Sequence, residues 1–275
     1  AVKNYNERTY TITLGASTTG QSAGEAAKGA SVILVLDESS SMEEGSKSIQ
    51  DIKDAAISFV NTLQTASKES EVSVSWYRGS EGSDDDDYTV TDSGFKTIDT
   101  SYAEIVGAIN SGATDKEQSG TPMGNALRKA QQRLSSAKYT NKYVILLTDG
   151  MPGYWNNNEN KNCMVANNAY NAANEIKKTA VLYTVGYSLS GTLNWKAGHS
   201  DSSSKNHGKH SGTSASDFLK QYIATQGDQK YAYTTTDNEG LKKTFENLAG
   251  SIGSLYSIDP KQIVDVIDAR FKLTQ

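Results

Sequence analysis

Val32-Ile33-Leu34-Val35-Leu36-Asp37-Glu38-Ser39-Ser40-Ser41 is the stretch from which the rest of the chain can be placed. An unbroken apolar run of strand length suits a central parallel strand, buried on both faces. The run stops at a carboxylate. The residues that follow put Asp37, Ser39 and Ser41 at alternate positions of one loop. From Gly45 onward the period changes, and Ile49, Ile52, Ala56, Phe59 and Leu63 recur at helical spacing. The stretch therefore reads as strand, oxygen-rich loop, helix.

The same alternation continues outward. Val72, Val74 and Trp76 predict a strand, Tyr88-Thr89-Val90 a short one, and Ile105 and Ile109 a short helix. Met123, Leu127, Ala130 and Leu134 predict an amphipathic helix with Pro122 at its start, where proline is well tolerated. Val144-Ile145-Leu146-Leu147 is a second fully apolar strand, ended by Thr148-Asp149-Gly150. A helix is expected over Ala166 to Lys178, a third buried strand over Ala180 to Val185, and a helix over Phe218 to Thr225. Tyr231-Ala232-Tyr233 and then Leu241, Phe245, Leu248 and Ile252 predict a last strand and helix. Strands alternating with helices give an α/β sheet covered on both faces. In such open sheets ligands bind at the carboxyl ends of the strands.

Three segments fall at that edge. The first is Asp37 to Ser41. Ser119-Gly120-Thr121-Pro122-Met123-Gly124 places a hydroxyl in a tight loop before a helix, and Asp149 ends the second buried strand. Each alone is also what a helix cap or a turn supplies. Together they make an all-oxygen set suited to a hard cation: Mg²⁺, with Mn²⁺ or Ca²⁺ as alternatives. At these residues the sequence resembles the von Willebrand factor A family, from roughly Ser31 to Gly253. Asp37, Ser39 and Ser41 match the family's first metal-binding motif, Thr121 its second element and Asp149 its third. The resemblance implies a Rossmann-like fold, with a mostly parallel six-stranded sheet and one antiparallel edge strand, assigned to Tyr88–Val90. It implies a metal-ion-dependent adhesion site. Ser39, Ser41 and Thr121 would touch the metal, Asp37 and Asp149 would act mainly through water, and one position would stay open to an acidic side chain of a partner. It also implies that the last helix shifts when such a site changes state.

Composition narrows the partners. The chain has 275 residues, Lys+Arg 27 against Asp+Glu 32, and a formal net charge of -5. That balance lacks the basic stripe of a nucleic-acid binder and disfavours lipid headgroups. No apolar run is long enough for membrane insertion. One cysteine, Cys163, cannot form an internal disulfide, and it reads as a plain residue near a helix start. Ala1 opens directly into polar sequence without a signal peptide or wall-sorting motif, as expected of a mature chain or an excised fragment.

Two long loops leave the same edge as the candidate site. Met151 to Asn162 carries Tyr154 and Trp155, and Ser188 to Ser214 carries Trp195, His199, His207 and His210. Tyr154, Trp155 and Trp195 are the candidate partner contacts, since specificity is usually placed on loops of a rigid scaffold. The irregularly spaced histidines, with no cysteine beside them, argue against zinc. The Asp84–Asp87 run has the charge to bind Ca²⁺ but reads first as a solvated turn before the edge strand.

The chain ends suggest a second unit. Tyr10-Thr11-Ile12-Thr13-Leu14 alternates as a half-buried strand and leads into a Gly/Ser/Ala-rich connector ending at Gly29. Strand character returns after Ser257, at Val264, Val266, Phe271 and Leu273. The expected division is a strand and linker over 1–29, the A domain over 30–254, and a terminal strand segment over 255–275 that pairs with the first. These tails resemble the stalk junction of Gram-positive pilus tip adhesins, in which an A domain is inserted into a stalk domain. No isopeptide Lys–Asn pair can be assigned. The resemblance implies an extracellular location at the bacterial cell surface or pilus tip. The partners it implies are an extracellular matrix or host surface protein presenting an acidic residue, and other pilus subunits. The function expected is metal-dependent adhesion, not catalysis. The alternatives are a structural pilus subunit or assembly module with a stabilising metal, and an enzyme or chelatase-type accessory subunit, which no Ser/His/Asp or Cys/His arrangement favours.

Overall fold

The computed structural model describes residues 29–79, 88–115, 120–154, 159–195, 197, 212–225 and 229–254. The expected strand at Tyr10–Leu14, the Asp84–Asp87 run, Trp155, the three histidines and the segment 255–275 lie outside the described residues.

The sheet is built on β1 (Ser31–Asp37), with β2 (Glu71–Gly79) on one side and β5 (Lys142–Thr148) on the other, both parallel to it. Beyond β5 come β6 (Val181–Tyr187) and β9 (Ala232–Thr235), again parallel. Beyond β2 lies an antiparallel edge, in two pieces. These are β3 (Tyr88–Val90), as expected, and β4 (Lys96–Thr97), which continues the pairing at the other end of β2. The strand order is β3-β2-β1-β5-β6-β9, so the chain reverses its direction of travel across the sheet between β1 and β5. A crevice at such a switch point is where α/β sheets place ligands.

All seven residues of β1 are buried because helices cover both faces. Val32, Leu34 and Leu36 face α1 (Ile49–Ser67), α2 (Ile98–Asn110) and α6 (Asn238–Ser254). Ile33 and Val35 face α3 (Met123–Arg133), α4 (Glu159–Ile176) and α5 (Ala215–Phe218), which continues as a π-helical turn over Leu219–Ile223. Period-2 geometry thus divides one apolar run between two cores. Phe59 of α1 meets Phe245 of α6 edge to face. In β2 the residues between the apolar ones are buried too, and their hydroxyls are satisfied. Ser73 Oγ donates to Asp92 Oδ1 (3.0 Å) and Ser75 Oγ to the Thr91 carbonyl (2.6 Å).

Two elements differ from expectation. α4 begins at Glu159 rather than Ala166, because its first turn, Glu159 to Asn162, is polar and the consecutive Cys163-Met164-Val165 shows no helical period. The loop expected from Ser188 to Ser214 contains a hairpin, β7 (Thr192–Asn194) with β8 (Gly212–Ser214).

Both ends of this unit meet the last turn of α1 and the residues that follow it. The Ala30 amide donates to Ser70 Oγ (3.0 Å), which itself bonds Ser67 Oγ (2.9 Å). Gly253 packs so closely on Ala66 that a Cβ there would lie 2.3 Å from the Ala66 Cβ. The chain therefore enters and leaves at the amino ends of the parallel strands. The opposite edge lies about 20 Å away along β1.

Candidate metal centre

At the carboxyl end of β1, Asp37 is fully buried. Its Oδ1 accepts the Ser39 amide (2.9 Å), which folds the loop back and starts a short 3₁₀ turn over Ser40–Glu43. Its Oδ2 accepts the Thr148 hydroxyl from the end of β5 (2.7 Å), and the Tyr77 hydroxyl from β2 lies 3.3 Å away. Three adjacent parallel strands thus hold one carboxylate.

The hydroxyls form a chain from there. Ser39 Oγ and Ser41 Oγ are 3.2 Å apart, and Ser41 Oγ donates to Asp149 Oδ1 (3.0 Å). Asp149 follows β5 directly and is 3% exposed. The remaining oxygen, Asp149 Oδ2, accepts Lys47 Nζ at 2.5 Å. Thr121 reaches the same edge in a loop fixed at both sides. Its amide donates to the Gly153 carbonyl (2.7 Å), the Gly153 amide returns a bond to the Thr121 carbonyl (3.2 Å), and the Gly79 amide bonds Gly120 O (3.0 Å). Gly120 has φ +106°, a left-handed conformation that only glycine adopts without strain.

Burial and then the charge of Asp149 push the Asp37 carboxyl up to about 7, against the lowering effect of its bonds from Ser39 and Thr148. Two neighbouring carboxylates in a buried site repel each other unless a proton or a positive charge answers them. The donor set fits a hard one: carboxylates and hydroxyls, with oxygen alone on offer. Among the described residues no three His, Cys, Asp or Glu side chains cluster, so a cation here must draw on the serine and threonine hydroxyls. Glu38, between two of these residues, turns away from them. It accepts the Ala113 amide (3.0 Å) and Arg78 Nη1 (3.3 Å), anchoring the loop from below.

A sequence model described as the von Willebrand factor type A domain matches residues 31–247. The chain belongs to that family. No curated protein matches the chain in sequence. Solved structures share the fold. The pilus adhesin SpaC of Lactobacillus rhamnosus GG superposes with a TM-score of 0.59 at 15% identity, over 81% of this chain and 30% of that one. The PilB minor pilin of Streptococcus sanguinis gives 0.57 at 16%, over 82% and 61%. The vWF domain of the type V pili tip protein Mfa5 of Porphyromonas gingivalis gives 0.57 at 16%, over 86% and 98%. The chain thus spans less than a third of the SpaC chain's length and nearly all of the Mfa5 domain.

The structure joins four of the five expected von Willebrand factor A site residues, Asp37, Ser39, Ser41 and Asp149, in one hydrogen-bonded chain, with the Thr121 loop bridged to Gly153 beside them. Two of the three aromatic candidates are buried. Trp195 is 3% exposed and packs on Phe218, Tyr222 and Tyr170 in the core against α4 and α5, so its ring is not offered to a partner. Tyr154 is 7% exposed, with Lys161 Nζ 2.8 Å from its hydroxyl and 4.1 Å from its ring centre. Cys163 is buried within α4. Three supporting residues emerge only from the structure: Tyr77, Thr148 and Lys47. The register pairs Asp37 with Tyr77, and Thr148 stands beside a residue already singled out. Both could be found once the strand order is known. Nothing in the sequence points to Lys47.

Proposed function

We propose that this domain is a metal-dependent adhesion module. Asp37, Ser39, Ser41, Thr121 and Asp149 would hold one divalent cation, Mg²⁺ first, with Mn²⁺ or Ca²⁺ as alternatives. A cation in such a site offers a coordination position to an acidic side chain of an extracellular protein. The protein's own part is to bury two carboxylates, fix two serine hydroxyls between them, and present the Thr121 loop from a rigid scaffold. The observation that carries this reading is the continuous Ser39–Ser41–Asp149 chain beside the buried Asp37, at the switch point of the sheet. A site that recruits ligands through a neutral hydroxyl shell suits binding, and we read it as non-catalytic.

Support for a place on a pilus or cell surface comes from two sides. The similar structures include a pilus adhesin, a minor pilin and a pilus tip protein. Both ends of the domain leave opposite the candidate site, the arrangement that an insertion into a stalk over 1–29 and 255–275 requires. The partners proposed are an extracellular matrix or host surface protein and other pilus subunits.

Isothermal titration of metal-stripped protein with Mg²⁺, Mn²⁺ and Ca²⁺ tests the reading. One saturable site is expected, lost in Asp149→Ala, with matrix-protein adhesion lost alongside it in that variant and in chelator. Adhesion that persists without metal, with only thermal stability lowered, would favour a structural subunit with a stabilising metal. No binding of any cation would leave the five residues as caps and turns.

A further inference from the structure

Lys47 is not among the residues proposed to hold the cation, yet its ammonium rests on Asp149 Oδ2 while Ser41 takes Oδ1, so both oxygens of that carboxylate are engaged. The contact is enclosed: Lys47 is 11% exposed and Asp149 3%. It is also local to the site. Lys47 lies six residues after Ser41, in the turn that links the 3₁₀ segment to α1. That turn is tied by bonds from the Glu44 amide to Ser41 O (3.1 Å) and from the Lys47 amide to Glu44 O (3.3 Å). Residues 44–46 beside it are exposed, so the ammonium has a short path to water.

We propose that Lys47 is a built-in counter-cation, which neutralises Asp149 when the site is free of metal and which a divalent cation must displace. This rests on the metal-site reading above. A lysine is a compact charge on a flexible stem and can move from a carboxylate to solvent without disturbing the backbone. An ammonium and a divalent ion on one buried carboxylate repel each other, so binding of the ion favours release of the lysine. The exchange has two consequences. The metal-free site avoids leaving two buried carboxylates unanswered, and the apparent affinity for metal falls by the fraction of molecules in which Lys47 has swung out.

The test compares wild type, Lys47→Met and Lys47→Arg by titration with Mg²⁺ and Mn²⁺ alone, and by thermal unfolding in chelator and in saturating Mg²⁺. Lys47→Met should bind Mg²⁺ about tenfold more tightly, if the outward position is populated at about one part in ten, and Lys47→Arg should stay near wild type. In chelator Lys47→Met should unfold at lower temperature than wild type, and the gap should close in Mg²⁺. A second measurement uses the wild-type protein only. Amine acylation followed by mass spectrometry should find Lys47 protected in chelator and reactive in Mg²⁺. Equal Mg²⁺ affinity in wild type and Lys47→Met, with Lys47 acylation insensitive to Mg²⁺, would overturn the counter-cation while leaving the metal site standing. No Mg²⁺ or Mn²⁺ binding by either protein would remove the metal reading and this role together.

Discussion

Asp37 concentrates the electrostatics of the site. Its folded-state value of about 7 lies far above the 3.8 of an ordinary aspartate. The folded protein therefore holds this proton more tightly than the unfolded chain does. The associated stability is fully present below about pH 4 and is lost as pH rises through 7. In chelator, the melting temperature should fall between about pH 4 and pH 7, and Asp37→Asn should flatten that slope by an amount on the order of a few kcal/mol. Saturating Mg²⁺ should flatten it in the wild type as well, because ligated carboxylates are held ionised. Parallel melting curves for wild type and Asp37→Asn across that range would contradict this. Asp37, Ser39, Ser41 and Asp149, which the structure joins by hydrogen bonds, were legible as neighbours because each stands where a buried strand stops, at one edge of the sheet. Lys47, Tyr77 and Thr148 were not, since their roles depend on which strands are neighbours and where a flexible side chain comes to rest. Trp195 misled for the opposite reason. An indole in a polar, Gly/Ser-rich stretch looks exposed until Phe218 and Tyr222 close over it.

Among the elements, α3 is the one whose position the site depends on, because Thr121 and Pro122 run directly into it. Its first turn is pressed against α4. A Cβ on Gly124 would lie 2.7 Å from the Ala169 backbone nitrogen and 2.7 Å from the Asn168 Cβ. Backbone cannot yield as a side chain end can, so Gly124→Ala should force the helices apart and cost about 1–3 kcal/mol. The same displacement moves the loop that carries Thr121, so metal affinity should fall together with stability. Denaturant unfolding and Mg²⁺ titration of the variant measure both, and wild-type values in the two assays would show that the α3–α4 contact is softer than it looks. The strand–helix order was readable at this scale wherever apolar periodicity was strong, as in β1, α1, β5 and α6. It failed where polar residues formed the element. The first turn of α4 is polar and carries no apolar period, and the two-residue β4 and the β7–β8 hairpin are set by strand pairing, which leaves none in the sequence.

The whole domain has two different ends: oxygen donors gather at the carboxyl ends of the strands, and both chain connections lie at the amino ends. For that division to work, the unit between the connections must hold together by itself. The residues suggest that it does. The two cores on either side of the sheet draw on residues from Ala30 to Ile252, and the Ala30 amide and Gly253 close the far end against Ser70 and Ala66. A chain trimmed to residues 30–254 should therefore unfold in one cooperative transition, within about 3 °C of the full chain, since in a domain this size each kcal/mol shifts the midpoint by about 2–4 °C. It should also bind Mg²⁺ with unchanged affinity. Differential scanning calorimetry of the two chains separates the cases. A second transition present only in the full chain would mark a distinct unit formed by 1–29 and 255–275. A trimmed chain melting well below the full one would instead mean that the flanking segments complete this core, and the boundaries at 30 and 254 would have to move outward.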